Sequence, residues 1–136
     1  YLRELRDRCA SVIEAIEQES LCARALTIGE TMVGALRELQ HELSCVGEVR
    51  GLGAMVAMEL VKNRDPHAPD ADLTKALTKR AAEKGLVLLS CGLYGNVIRF
   101  LVPLTASDAI VREGLGIVAE SLRELVGAST KAAVNA

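Results

Sequence analysis

A single positive charge stands in the middle of an apolar strand, and any fold for this chain has to accommodate it. The stretch from Gly92 to Leu104 reads GLYGNVIRFLVPL, with Arg99 between Ile98 and Phe100. A guanidinium keeps its proton, and taking it out of water is expensive, so it needs a carboxylate or phosphate partner or a path to solvent. Alternation along an extended segment puts Val97, Arg99 and Leu101 on one face and Ile98, Phe100 and Val102 on the other. Pro103 has no N–H to donate and ends the ladder. The strand by itself leaves two readings open: an edge-strand arginine with its head in water, or an anion site.

Composition narrows the partners. The 136 residues are half hydrophobic, enough for one ordinary domain spanning 1–136 with its own core. The formal charge of −2 is made of interspersed acids and bases, which argues against a nucleic-acid surface or a polybasic membrane patch. Aromatic residues are only 2% of the chain, so the core is aliphatic and base-stacking platforms are missing. Cys9, Cys22, Cys45 and Cys91 form no CxxC pair, so no metal site is expected, and the cysteines read as small core residues. No apolar run approaches the roughly 18 residues of a membrane span, and the expected setting is cytoplasmic with reduced thiols.

Helical periodicity comes first along the chain. Leu2, Leu5, Cys9, Val12 or Ile13, and Ile16 mark an amphipathic helix, and Leu21, Ala25, Ile28, Met32, Leu36, Leu39 and Leu43 mark a longer one with a core-facing stripe. From Val46 to Val61 the pattern turns extended, giving a short strand, a glycine bend and a longer strand. Ala54, Val56, Met58 and Leu60 then face one way, and Met55, Ala57, Glu59 and Val61 the other. The GLG at Gly51–Gly53 is not a dinucleotide motif, because a third glycine would fall at Val56 and no helix begins there. Lys62–Ala71, with two prolines, reads as a surface loop in which His67 is solvated. Asp70 or Asp72 caps a helix that runs through Lys84 and stops at Gly85, with its lysines solvated. Leu86–Cys91 reads as a buried strand, and Gly92, Gly95 and Asn96 turn it into the Arg99 strand. Thr105 with Asp108 makes a capping-box-like start for a final helix that ends at Gly127, and 128–136 is a frayed tail.

SCGLYGNVIRFLVPLT resembles the C-terminal signature of the class-III, pyridoxal-phosphate-dependent aminotransferases, the 4-aminobutyrate aminotransferases most closely. A VRGxGxMxAxE pattern of the same family fits Val49 to Glu59, and the likeness spans about Ser11 to Val126. The resemblance implies an α/β fold of the α+β type. This would be a small, mostly antiparallel sheet of about three or four strands packed against helices, as in the C-terminal domain of fold-type-I pyridoxal-phosphate enzymes. It implies that Arg99 binds the α-carboxylate of the amino-acid or oxo-acid substrate, with Tyr94, Gly95 and Asn96 shaping its approach. It also implies a larger cofactor-binding domain of the same enzyme as partner, and a homo-oligomer.

The family's chemistry needs a Schiff-base lysine and an aspartate on the pyridine nitrogen, and both belong to that other domain. Lys62, Lys75, Lys79, Lys84 and Lys131 all fall in polar contexts, so the chain is expected to hold no catalytic residue and to bind no pyridoxal phosphate alone. A non-catalytic ligand-binding or oligomerisation module that keeps the fold is the alternative from another functional class.

Overall fold

The computed structural model describes residues 1–134, with side chains through residue 128. Its elements run α1 (Leu2–Gln18), α2 (Leu21–Glu42), β1 (Val46–Leu52), β2 (Met55–Lys62), β3 (Asp65–Pro69), α3 (Ala71–Glu83), β4 (Leu89–Cys91), β5 (Val97–Leu101) and α4 (Asp108–Val134). The sheet is antiparallel, ordered β1–β2–β5–β4, and β3 pairs with the end of β2. This is the α+β arrangement expected, with one strand added in the segment read as a loop.

Strand alternation decides which face is covered. Val56, Met58 and Leu60 of β2 and Ile98 of β5 are fully buried against Ile28, Met32 and Leu36 of α2, Leu77 of α3, and Val118 and Leu122 of α4. The opposite face is bare around Arg99, although Val97 and Val61 towards its other end are buried. Leu52, Met55, Leu89 and Leu101 are more than half exposed there, because no described element lies over them. The β1–β2 connection is a tight hairpin, Leu52 pairing with Met55, in which Gly53 takes φ +52°, a conformation that favours glycine. Helix α2 passes so close to this hairpin that a Cβ on Gly29 would sit 2.0 Å from the Gly53 carbonyl oxygen. The GLG segment is therefore a packing device, and the dinucleotide reading is rightly rejected.

Several local expectations are corrected. Lys62–Ala71 contains β3, since a strand confined to the end of one neighbour can tolerate Pro66 and Pro69. Leu86–Cys91 is no buried strand: only Leu89–Cys91 pairs, at the sheet edge, and Val87 before it is 82% exposed. The cap at the start of α4 is Ser107, whose Oγ accepts from the Ile110 N–H at 3.3 Å, and Thr105 lies upstream of it. Helix α4 runs past Gly127 to Val134, because one glycine costs a helix only about 1 kcal/mol and no proline follows. Of the expected frayed tail, Asn135 and Ala136 lie outside the described residues. Asp70 does cap α3, accepting from the Leu73 N–H at 3.0 Å. Lys84 is not a solvated charge but pairs with Glu120 and Glu124 of α4 at 2.8 Å. Only Cys45 among the cysteines is buried, and burial pushes its thiol pKa up; Cys9 and Cys22 are exposed.

Candidate functional site

Arg99 occupies the middle of β5, between β2 and β4, and its side chain emerges on the bare face. Its neighbours in the register are Ala57 on one side and Leu89 on the other, so a small residue and an exposed aliphatic one flank it. Leu101 and Met55, themselves paired, continue the apolar surface beside it. Among the described residues, Arg99 takes part in no ion pair or side-chain hydrogen bond. The strand is thus not the edge strand of the first reading, since β4 lies outside it, yet the Arg99 head is in water beside exposed aliphatic side chains. A cleft of 530 Å³ opens next to it, walled by Val87, Leu89, Leu101, Pro103 and Ile110, with Arg99 as the one ionisable group among its described lining residues. That size lies within the range of small-ligand pockets, and an apolar wall with one fixed cation suits a ligand bearing a carboxylate on a short carbon chain.

The turn before β5 places the other expected residues. Gly92 has φ +87°, and a Cβ there would lie 2.8 Å from Cγ2 of Val97, so the chain can fold over Val97 only with glycine at this position. Tyr94 projects outward at 66% exposure. Asn96 is different. It is buried, its Nδ2 donates to the Leu60 carbonyl at 3.0 Å, and its own carbonyl accepts from the Leu60 N–H at 2.8 Å. Alternation also sends Asn96 and Arg99 to opposite faces, so Asn96 fastens the turn to β2 and its amide is not available to a ligand approaching Arg99.

A cluster that the sequence did not announce shares the face with Arg99. Nη1 of Arg50 in β1 donates to Glu59 of β2 at 2.6 Å and to Glu48 at 2.7 Å, and the hydrogen bond to Glu59 pushes the guanidinium pKa further up. Alternation places Glu59 on the right face, but which arginine it meets depends on the β1–β2 register, which no local pattern encodes.

None of the lysines with described side chains fits the covalent anchor of a pyridoxal cofactor. Lys62, Lys75 and Lys79 are exposed, and Lys84 is held by two carboxylates. The side chain of Lys131 lies outside the described residues. No group of His, Cys, Asp and Glu among the described residues could hold a metal ion, and no described helix is long and apolar enough to cross a membrane.

The class-III aminotransferase family model matches residues 8–122. The 5-aminovalerate aminotransferase DavT of Pseudomonas aeruginosa is 49% identical over 115 residues, 85% of this chain and 27% of the relative. The 4-aminobutyrate aminotransferase GabT of Escherichia coli is 45% identical over 113 residues, 83% of this chain and 26% of the relative. Among solved structures, a Bacillus anthracis aminotransferase superposes with a TM-score of 0.76 at 28% identity, covering 82% of this chain and 26% of that one. A phospholyase from Arthrobacter in complex with phosphoethanolamine superposes with 0.78 at 26% identity, covering 84% of this chain and 27% of that one. The chain thus spans about a quarter of the length of the curated relatives it matches. With its sheet, its helices and its arginine strand in place, the chain belongs to the class-III aminotransferases.

Proposed function

We propose that this chain is the C-terminal small domain of a pyridoxal-phosphate-dependent ω-amino-acid transaminase of the 4-aminobutyrate type, with 2-oxoglutarate as amino acceptor. Its contribution is Arg99, which orients a substrate carboxylate. The observation that carries the reading is an unpaired guanidinium that emerges on the uncovered part of the sheet and is the sole described charge of an apolar cleft between β5 and α4. The relatives' names support the donor class: 4-aminobutyrate and 5-aminovalerate differ by one methylene, and both carry an amine and a carboxylate at opposite ends of a chain.

The division of labour follows from what the chain holds. Pyridoxal phosphate supplies the amino-group chemistry, and the lysine that anchors it belongs to a large domain of the same enzyme. That domain covers the bare face and makes the apolar surround of Arg99 dry. In a dry surround the two parallel N–H···O bonds of a guanidinium–carboxylate pair are far stronger than in water, and they fix the substrate in orientation as well as position. Tyr94 and Gly95, on the turn preceding β5, border the approach. The enzyme is a cytoplasmic homo-oligomer, in keeping with four free cysteines.

The test uses the full-length enzyme. Arg99→Lys keeps the charge and loses the planar fork, and Arg99→Ala loses both, so catalytic efficiency toward the oxo acid should fall in the order wild type, Lys, Ala. Charge-assisted hydrogen bonds are worth about 1.5–3 kcal/mol each, so the loss in Ala should reach about two to four powers of ten with little change in unfolding midpoint. A drop in stability of about 3–5 kcal/mol with efficiency preserved would instead make Arg99 a structural brace.

A further inference from the structure

We infer that Arg50 is a positioning residue: it captures Glu59 and so keeps the Arg99 guanidinium free for the substrate carboxylate. The inference rests on the carboxylate-binding role of Arg99 and assigns tasks to two residues beyond it.

The register makes the competition explicit. Ala57 pairs with Arg50 on one side and with Arg99 on the other, so the two arginines flank the same small residue on the same face. Glu59 lies two residues further along β2, on that face, opposite Val97, which puts it diagonal to Arg99. Diagonal cross-strand neighbours are about 7–8 Å apart at Cα, within reach of a glutamate and an arginine. One carboxylate therefore stands between two guanidinium groups. Arg50 holds it at 2.6 Å while Glu48 steadies Arg50 from the same strand at 2.7 Å, and Arg99 is left unpaired among the described residues. The Glu59 side chain is only 27% exposed, so it has little water to turn to if its partner is lost. Without Arg50, Glu59 would swing to Arg99 and occupy the fork that the substrate needs. Being tethered, it would compete at high effective concentration with every incoming carboxylate.

This separates from a merely structural ion pair in the full-length enzyme. Arg50→Met should raise KM for 2-oxoglutarate, and the Kd of the unreactive dicarboxylate glutarate measured by calorimetry, by roughly five- to tenfold, with kcat changed far less. Adding Glu59→Gln removes the competitor and should bring both constants back to within about twofold of wild type, although the double variant has lost more native contacts than the single one. Arg50→Gln carries the same expectation if the methionine variant does not fold. Wild-type binding in Arg50→Met, or no rescue in the double variant, overturns the inference. Arg99→Ala separates this from the reading beneath it. If that variant leaves glutarate binding unchanged, the role of Arg99 itself fails. If it weakens binding while the Arg50 variants do not, only the guarding role of Arg50 fails.

Discussion

Gly29 and Gly34 lie on the same helix five positions apart and are indistinguishable by any sequence rule, yet the fold gives them opposite meanings. A Cβ at Gly29 would overlap the Gly53 carbonyl, a backbone atom that cannot step aside, whereas a Cβ at Gly34 meets nothing within 4 Å. Gly29→Ala should therefore destabilise by about 1–3 kcal/mol despite the better helix propensity of alanine. Gly34→Ala should stabilise by up to about 1 kcal/mol. Urea midpoints of the two variants check both, and equal shifts of the same sign would refute the close approach. Single residues were legible in the sequence where their role is local. Asp70 as a cap and Arg99 as an anomaly in an apolar strand were visible, because capping and alternation act within a few positions. Asn96 as a fastener of the turn was not, because its partner, Leu60, lies across the sheet.

Helix α4 is tied to its neighbours by ion pairs along both flanks. Arg24 of α2 bonds Asp108 at 2.5 Å, Arg123 bonds Glu42 of α2 through two contacts at 2.7 Å, and Arg80 and Lys84 of α3 converge on Glu124. In each case the hydrogen bond from the cation holds the carboxyl below its ordinary pKa, and for Glu124 down to about 2. A carboxylate depressed on folding contributes stability above its unfolded pKa and loses it as pH falls through the folded one. For Glu124 the loss should run from about pH 4.5 down to about pH 2, and the thermal midpoint of Glu124→Gln should vary less with pH across that window. Salt should reduce the difference, since these groups are exposed and screened. Parallel acid profiles for the two proteins would count against the seam. The apolar stripes of α2 and α4 could be read from spacing, because the period of a helix is fixed. The ion pairs could not, because they join positions such as 80 and 124 that only the tertiary fold brings together. The fifth strand was hidden for a related reason: β3 exists through its contact with β2, against the local preference of a proline-bearing segment.

At the scale of the molecule, two apolar surfaces stand uncovered among the described residues. One is the bare part of the sheet face, and the other is α1, which among the described elements packs against α2 alone and leaves Leu2, Val12 and Ile13 more than half exposed. Surfaces of this kind find partners. The chain alone should self-associate in sedimentation at high concentration and should enhance a hydrophobic dye, and a monomer that binds no dye would show that the faces are not adhesive. The candidate site was legible in part. Its cation and the face it occupies came from alternation, but the guarding of that cation by a second arginine came only from register. Register also has a consequence in time. Residue 57 finds its β1 partner, residue 50, across one tight hairpin, but finds residue 99 only after α3 and β4 have been laid down between them. Closing the longer loop forfeits more chain entropy before any contact rewards it, so β5 should join a hairpin already formed on α2. The arginine would then take its place in the sheet late during folding, together with the edge strand β4 that joins through β5, and leave it early. A substitution such as Ile98→Val would be felt mainly as faster unfolding rather than as slower folding.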